Sequence, residues 1–202
     1  MEDRLVVEEL QAGIGRSLIG REIIVLEQTG STNDVVLQVA KTNPGAGVVV
    51  FAEHQTAGRG QRGNRWESAA GKGLWFSILL RPAIVLADSP QLTAWAAEAV
   101  SVAIQNEFSL TPTIKPPNDV QIDGRKVAGV LVEMRAQEKA PHLAIAGIGV
   151  NVNQSDFPEE LQDKAISLAM VLGRQIDRQS FAIALLRELD RTYRQKFALA
   201  EL

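Results

Sequence analysis

The run Gly58-Arg59-Gly60-Gln61-Arg62-Gly63-Asn64-Arg65-Trp66 constrains the fold of this chain more than any other stretch. Glycine and arginine alternate through it, and a tryptophan closes it. Glycine weakens the interior of a helix or a strand, and arginine is almost never fully buried unless it is paired. The run therefore reads as a loop between core elements. Apolar runs flank it: Gly47 to Ala52 before, Leu74 to Leu80 after, each reading as a buried strand. Glycines in such a loop leave backbone N–H groups open to a ligand, and arginines add planar, permanent cations suited to phosphate or carboxylate. For the loop taken alone, a solvated basic turn is the competing reading.

The rest of the chain alternates short elements with turn chemistry. Residues 3–12 suit a short helix ending near Gly13 or Gly15, and Glu22 to Leu26 a β-branched strand. Ser31 or Thr32 caps a helix running to Lys41. Asn43-Pro44-Gly45 is a turn. Gln91 to Glu107 is the strongest helix, with Leu92, Trp95, Ala96, Val100, Ala103 and Ile104 at helical spacing. A sheet-rich half follows: Thr113 to Lys115, then a hairpin of Val120–Ile122 and Lys126–Glu133 turning at Asp123-Gly124, then His142 to Val152. Short helical stretches are expected around Leu161 and from Ala165 to Leu172, and a closing helix from Gln179 to Phe197. Helices and hairpin strands do not alternate as βαβ units, so an α+β fold is favoured.

Composition narrows the function classes. At 202 residues, with 46% hydrophobic residues and no low-complexity tract, the chain reads as one globular domain over 1–202. Its net charge of −3 gives no nucleic-acid footprint. Cysteine is absent, which removes disulfides and any thiolate nucleophile. The N-terminus has charges where a signal peptide would be apolar, and no stretch reaches the roughly 20 apolar residues of a membrane span. The expectation is a soluble, cytoplasmic protein that binds neither DNA nor membrane. His54 and His142 lack the company of a zinc site, so no metal site is expected.

Further motifs stand in order around the loop. They are Ser31-Thr32-Asn33-Asp34, Glu53-His54-Gln55-Thr56-Ala57, Lys72-Gly73-Leu74-Trp75-Phe76-Ser77 and Lys115-Pro116-Pro117-Asn118-Asp119, then Arg125 to Glu133 and Gly147-Ile148-Gly149-Val150-Asn151-Val152-Asn153. In this order and spacing the set resembles the catalytic domain of the biotin protein ligases, with a motif-bearing core from about 27 to 172. The resemblance implies a class II aminoacyl-tRNA-synthetase-like fold, a mixed, mostly antiparallel sheet flanked by helices. Some relatives carry an N-terminal DNA-binding domain and a small C-terminal β domain, and both are expected to be missing here.

The resemblance also implies a reaction and a site. Biotin and ATP, the latter with Mg²⁺, would give biotinyl-adenylate and pyrophosphate. A lysine of a biotin carboxyl carrier protein domain would then take the biotin and release AMP. Lys126, Arg59 and Asp119 are the catalytic candidates. Ser31, Thr32, Asn33, Gln55, Gly58, Arg59 and Gly129 would bind biotin. Hydroxyls and amides supply both the donors and the acceptors that a ureido ring needs. Arg62, Trp66, Asn118, Lys126 and Asn151 would meet the nucleotide, with Lys115 a lesser phosphate candidate. Gln61 and Pro116 depart from the arginine and tryptophan common in the family. Dimers are frequent among such ligases, so a homodimer is the assembly in view.

Each candidate also has a local structural reading. Ser31 and Thr32 serve equally as a helix cap, Asn118-Asp119 as a turn, and Lys126 as a solvated hairpin lysine. Arg65 suits a solubilising role, Trp66 a core anchor, and Asn153 a turn cap. A lipoate protein ligase shares this fold and adenylation chemistry, and a non-catalytic biotin-binding module is a further alternative. The loop does not match a Walker motif, and Gly147-Ile148-Gly149 lacks the third glycine of a dinucleotide fingerprint.

Overall fold

A computed structural model describes residues 4–42, 45–137 and 142–197. Seven strands form one sheet in the order β1-β2-β3-β7-β6-β5-β4. They are β1 (Glu22–Thr29), β2 (Val48–Gln55), β3 (Gly73–Leu80), β4 (Thr113–Lys115), β5 (Asp119–Ile122), β6 (Arg125–Arg135) and β7 (Leu143–Asn151). The helices are α1 (Val7–Ile14), α2 (Thr32–Thr42), α3 (Ser89–Phe108), α4 (Leu168–Leu172) and α5 (Arg178–Phe197). This is the mixed, helix-flanked sheet that the motifs implied. One βαβ unit does occur, since β1 and β2 pair in parallel across α2, while the other ladders are antiparallel.

Side-chain alternation along the strands splits the interior in two. Val49 and Phe51 of β2 join Leu74, Phe76, Ile78 and Leu80 of β3 in the larger core, with α1, α3 and α5. Trp95 of α3 lies edge-on to Tyr193 and Phe197 of α5, at 5.3 and 5.9 Å between ring centres. Each fully buried large side chain of this kind stabilises by about 1.5–3 kcal/mol. Val48, Val50 and Leu79 point the other way, onto Val36 of α2.

Several boundaries differ from the sequence reading, and tertiary hydrogen bonds explain why. Helix α1 begins at Val7 rather than residue 3, because the Leu5 N–H donates to Glu53 and the Val6 N–H to Gln179. Strand β1 runs past Leu26 to Thr29, and β2 to Gln55, because their ladder continues through Gln28–His54 and Thr29–Gln55. The expected helix from Ala165 begins only at Leu168. Ser167 caps it, accepting from the Met170 N–H at 3.1 Å, while Ala165 bridges Lys126 in parallel. Asn43 and Pro44 of the expected turn lie outside the described residues.

One buried ion pair binds the two ends of the chain to the sheet. Arg178, at the start of α5, is fully buried and donates to Glu53 of β2 at 2.8 Å and to the Gly73 carbonyl of β3 at 3.0 Å. The Leu5 N–H holds the other Glu53 oxygen at 2.8 Å. The pair therefore fixes β2 two residues before Gln55.

Candidate active site

The ladder register builds a row of residues across one face of the sheet. Lys115 faces Asp119, Asp119 faces Gly129, Gly129 faces Gly149, and Gly149 faces Trp75. Two residues along, Leu131, Gly147 and Ser77 form a second row on the same face. The glycines leave a floor without side chains, and other groups fill that space. Trp66 lies against Gly129 and Gly149, where an added Cβ would stand 2.8 and 2.5 Å from its indole carbons. A Cβ at Gly147 would collide with the Asn33 amide.

Two clefts open on this face. The first is narrow and open to solvent, about 420 Å³ with the solvent at its mouth counted, and is lined by Ser31, Thr32, Asn33, Gln55, Arg59 and Gly129 among others. The second is larger, about 1580 Å³ with its mouth, and runs along Lys115, Asp119, Gln121, Asn151 and the 157–165 segment. Lys126 and Trp66 line both. The Lys126 ammonium lies 2.6 Å from an Asp119 carboxylate oxygen and 4.9 Å from the centre of the Trp66 ring.

The backbone of Lys126 is held from two sides. Its N–H donates to the Lys164 carbonyl at 2.7 Å, and its carbonyl accepts from the Ile166 N–H at 3.0 Å. The Asn151 amide donates to the carbonyls of both Lys126 and Ile166, at 3.3 and 3.2 Å, and its oxygen accepts from Gln154 at 2.9 Å. Asn151 thus lines the second cleft with its side chain engaged by protein groups. A β-bulge at Val120/Gln121 sets Lys126 opposite Gln121.

A polar network floors the first cleft. The Gln55 oxygen accepts from the Thr32 N–H at 2.9 Å, and its NH₂ donates to Ser68 at 3.0 Å. The Thr32 hydroxyl meets Gln55 at 3.1 Å and Ser77 at 2.6 Å. Ser77 donates to the Asn33 oxygen at 2.5 Å, and the Asn33 NH₂ donates to Glu133 at 2.6 Å. Helix α2 starts on the Ser31 carbonyl, which accepts from the Asp34 and Val35 N–H groups. Thus Ser31 begins the helix and also lines the cleft.

Arg59 sits beside this network. Its guanidinium makes two parallel bonds to Asp34, at 2.7 and 2.8 Å, and lies 3.5 Å from Glu133. The Arg59 hydrogen bond holds the Asp34 carboxyl below the usual carboxylate range, and the Asp34 bond in turn raises Arg59.

The sequence-derived candidates separate on this geometry. Ser31, Thr32, Asn33, Gln55, Arg59, Trp66, Asn118, Lys126 and Gly129 gather at the first cleft, and Asp119, Lys126, Asn151 and Lys115 at the second. Asn118 donates to the Val130 carbonyl at 2.8 Å. Gly58 lines neither cleft and lies close against the Trp66 carbonyl, leaving no room for a Cβ. Arg62 and Gln61 also line neither; Arg62 is exposed, with a left-handed φ of 57°. Asn153 exchanges two bonds with the Ile176 backbone. Ser77, Ser68, Glu133 and Asp34 were missed as participants. The first, third and fourth stand inside quoted motifs, but their partners lie far off in sequence. Among the described residues no group of three or more His, Asp or Glu side chains gathers to hold a metal, and no helix is long and apolar enough to cross a membrane.

Comparison with known proteins gives concordant matches. The model of the biotin/lipoate A/B protein ligase family matches residues 25–151. The chain is 39% identical over 193 residues to the bifunctional ligase/repressor BirA of Bacillus subtilis, covering 95% of this chain and 59% of that protein. It is 34% identical over 199 residues to the biotin–[acetyl-CoA-carboxylase] ligase of Mycobacterium tuberculosis, covering 94% and 70%. The solved biotin protein ligase of Aquifex aeolicus in complex with biotin and ATP has a TM-score of 0.75 at 32% identity, covering 87% of this chain and 73% of that one.

Proposed function

This chain belongs to the biotin/lipoate A/B protein ligase family, and from that premise we propose that it is an ATP-dependent biotin protein ligase. In the first step a biotin carboxylate oxygen attacks the α-phosphorus of ATP. A mixed anhydride forms, and the bond to pyrophosphate breaks. The nucleophile is already ionised at neutral pH, so this step needs no base. The residues contribute positioning and charge stabilisation.

The first cleft takes biotin, with the ureido ring on the Thr32, Asn33 and Gln55 network. The second takes the nucleotide, whose Mg²⁺ arrives on its phosphates. The observation that carries this reading is that the two clefts share Lys126 and Trp66. An ammonium at that junction reaches both the carboxylate and the α-phosphate oxygens. Arg59 adds charge at the biotin end, and Trp66 shields the anhydride from water.

In the second step an acceptor lysine amine attacks the anhydride carbonyl. An amide forms, AMP leaves, and Asp119 takes the proton. The acceptor is a biotin carboxyl carrier protein domain of a carboxylase such as acetyl-CoA carboxylase. A cytoplasmic site of action, a homodimer and no part for DNA complete the proposal, the last in keeping with the net charge of −3.

The test is pyrophosphate release with ATP and biotin, with lipoate in a parallel arm, followed by transfer to a carrier domain. Release that depends on biotin, and labelling of the carrier lysine, are expected. Release with lipoate alone would overturn the assignment in favour of a lipoate ligase. No release with either would leave only a binding module.

A further inference from the structure

We infer that Asp34 is a positioning residue that latches the glycine–arginine loop across the first cleft by holding Arg59. The loop is a small hairpin. Arg59 and Arg65 form an antiparallel bridge, the Gly60 N–H donates to the Asn64 carbonyl at 2.7 Å, and the Trp66 N–H to the Gly58 carbonyl at 2.9 Å. Wherever Arg59 is held, Gly60 and Trp66 follow. Among the described residues, Arg59 is the only arginine of this loop that pairs with carboxylates on another element; Arg65 comes no closer than 3.9 Å to its near neighbour Glu67. Asp34 sits in the first turn of α2, where the helix dipole favours a carboxylate and fixes its place.

The magnitudes suit a latch rather than a permanent strut. The bonds are bidentate, the stronger arrangement for an arginine and a carboxylate. Yet the Arg59 and Asp34 side chains are 39% and 59% exposed, and exposed pairs are worth at most about 1 kcal/mol. Such a pair biases the loop toward closure about fivefold and still lets it open for substrate. Glu133 extends the arrangement. The oxygen that accepts from Asn33 at 2.6 Å also lies 3.5 Å from Arg59, so one carboxylate touches both the cleft floor and the latch. Asp34 itself lines neither cleft, so it acts through Arg59 and not on substrate.

Hydrogen exchange of the Gly60 and Trp66 amides, measured without substrates, tests the latch independently of the ligase reading. Asp34→Asn is expected to speed their exchange about fivefold, and to add nothing in an Arg59→Ala background. Unchanged exchange in Asp34→Asn would overturn the inference, as would an equal rise in both backgrounds. The second readout rests on the ligase reading. Preformed biotinyl-adenylate should leave Asp34→Asn about five times faster, while the single-turnover rate of pyrophosphate release at saturating biotin and ATP is unchanged. A fall in that rate with no change in adenylate release would place Asp34 in the chemistry and overturn its role as a latch. If no adenylate forms even in the wild type, the ligase reading fails and the exchange result still decides the latch.

Discussion

Gly129 and Gly149 face each other across the ladder between β6 and β7, and neither has room for a methyl group. The Trp66 indole occupies the space above both. A Cβ at Gly149 would stand 2.5 Å from Trp66 Cε2, so Gly149→Ala must displace the indole. Overpacking of this kind costs about 1–3 kcal/mol. Urea unfolding should show that loss of stability, and the KM for biotin should rise, with a shift in tryptophan emission. Wild-type KM together with unchanged emission would show that Trp66 does not rest on this floor in solution.

Lys126→Ala should separate binding from chemistry. The polar network at the floor of the first cleft does not involve Lys126, so biotin should still bind. Adenylate formation should fall a hundredfold or more, the loss of about 3 kcal/mol typical of a removed charge-stabilising donor. Calorimetry for biotin and pyrophosphate release for the first step measure the two effects. A variant that adenylates at the wild-type rate would remove Lys126 from the reaction.

Local sequence exposed much of this design and hid the rest for a definite reason. Strand runs and the Asp123-Gly124 turn were legible because period and turn chemistry are local signals. The start of α4 was not, because the 164–166 segment pairs with the backbone of Lys126, a partner far upstream. The site divided in the same way. Lys126, Gln55, Thr32 and Asn33 stood out by motif. The partners that orient them did not: Ser77 meets Asn33 across 44 residues, and Glu133 meets Asn33 across 100. Asn151 was read from its motif as a nucleotide contact; that its amide also joins two backbone carbonyls was hidden, because only the folded sheet brings them together.

Arg178 and Glu53, 125 residues apart, had no signature in sequence at all. Their pair makes a stability prediction. Arg178→Met would leave the Glu53 carboxylate buried with the Leu5 N–H but without its counter-charge. Breaking a buried pair from one side costs about 3–5 kcal/mol. Urea unfolding should show that loss, and a Glu53→Gln change in the same chain should recover much of it. A loss under about 1 kcal/mol would mean that solvent reaches the pair.

The last prediction concerns acid. The Arg59 hydrogen bond holds the Asp34 carboxyl below its ordinary value of 3.8, with a smaller contribution from Arg135. A carboxyl depressed in the folded, closed state contributes its stabilisation in full above that ordinary value. The contribution disappears as pH falls through the lowered one. Protection of the Gly60 and Trp66 amides should therefore be level from neutral pH down to about 4, after correction for intrinsic exchange, and fall below it. Glu133 also faces Arg59, at 3.5 Å, so the comparison is repeated in a Glu133→Gln background to isolate the Asp34 step. Amides of α3, far from the loop, report general acid unfolding. In Asp34→Asn the loop amides should lose the extra acid step and follow the core amides. If wild type and Asp34→Asn lose loop protection along the same curve, protonation of Asp34 does not open the loop.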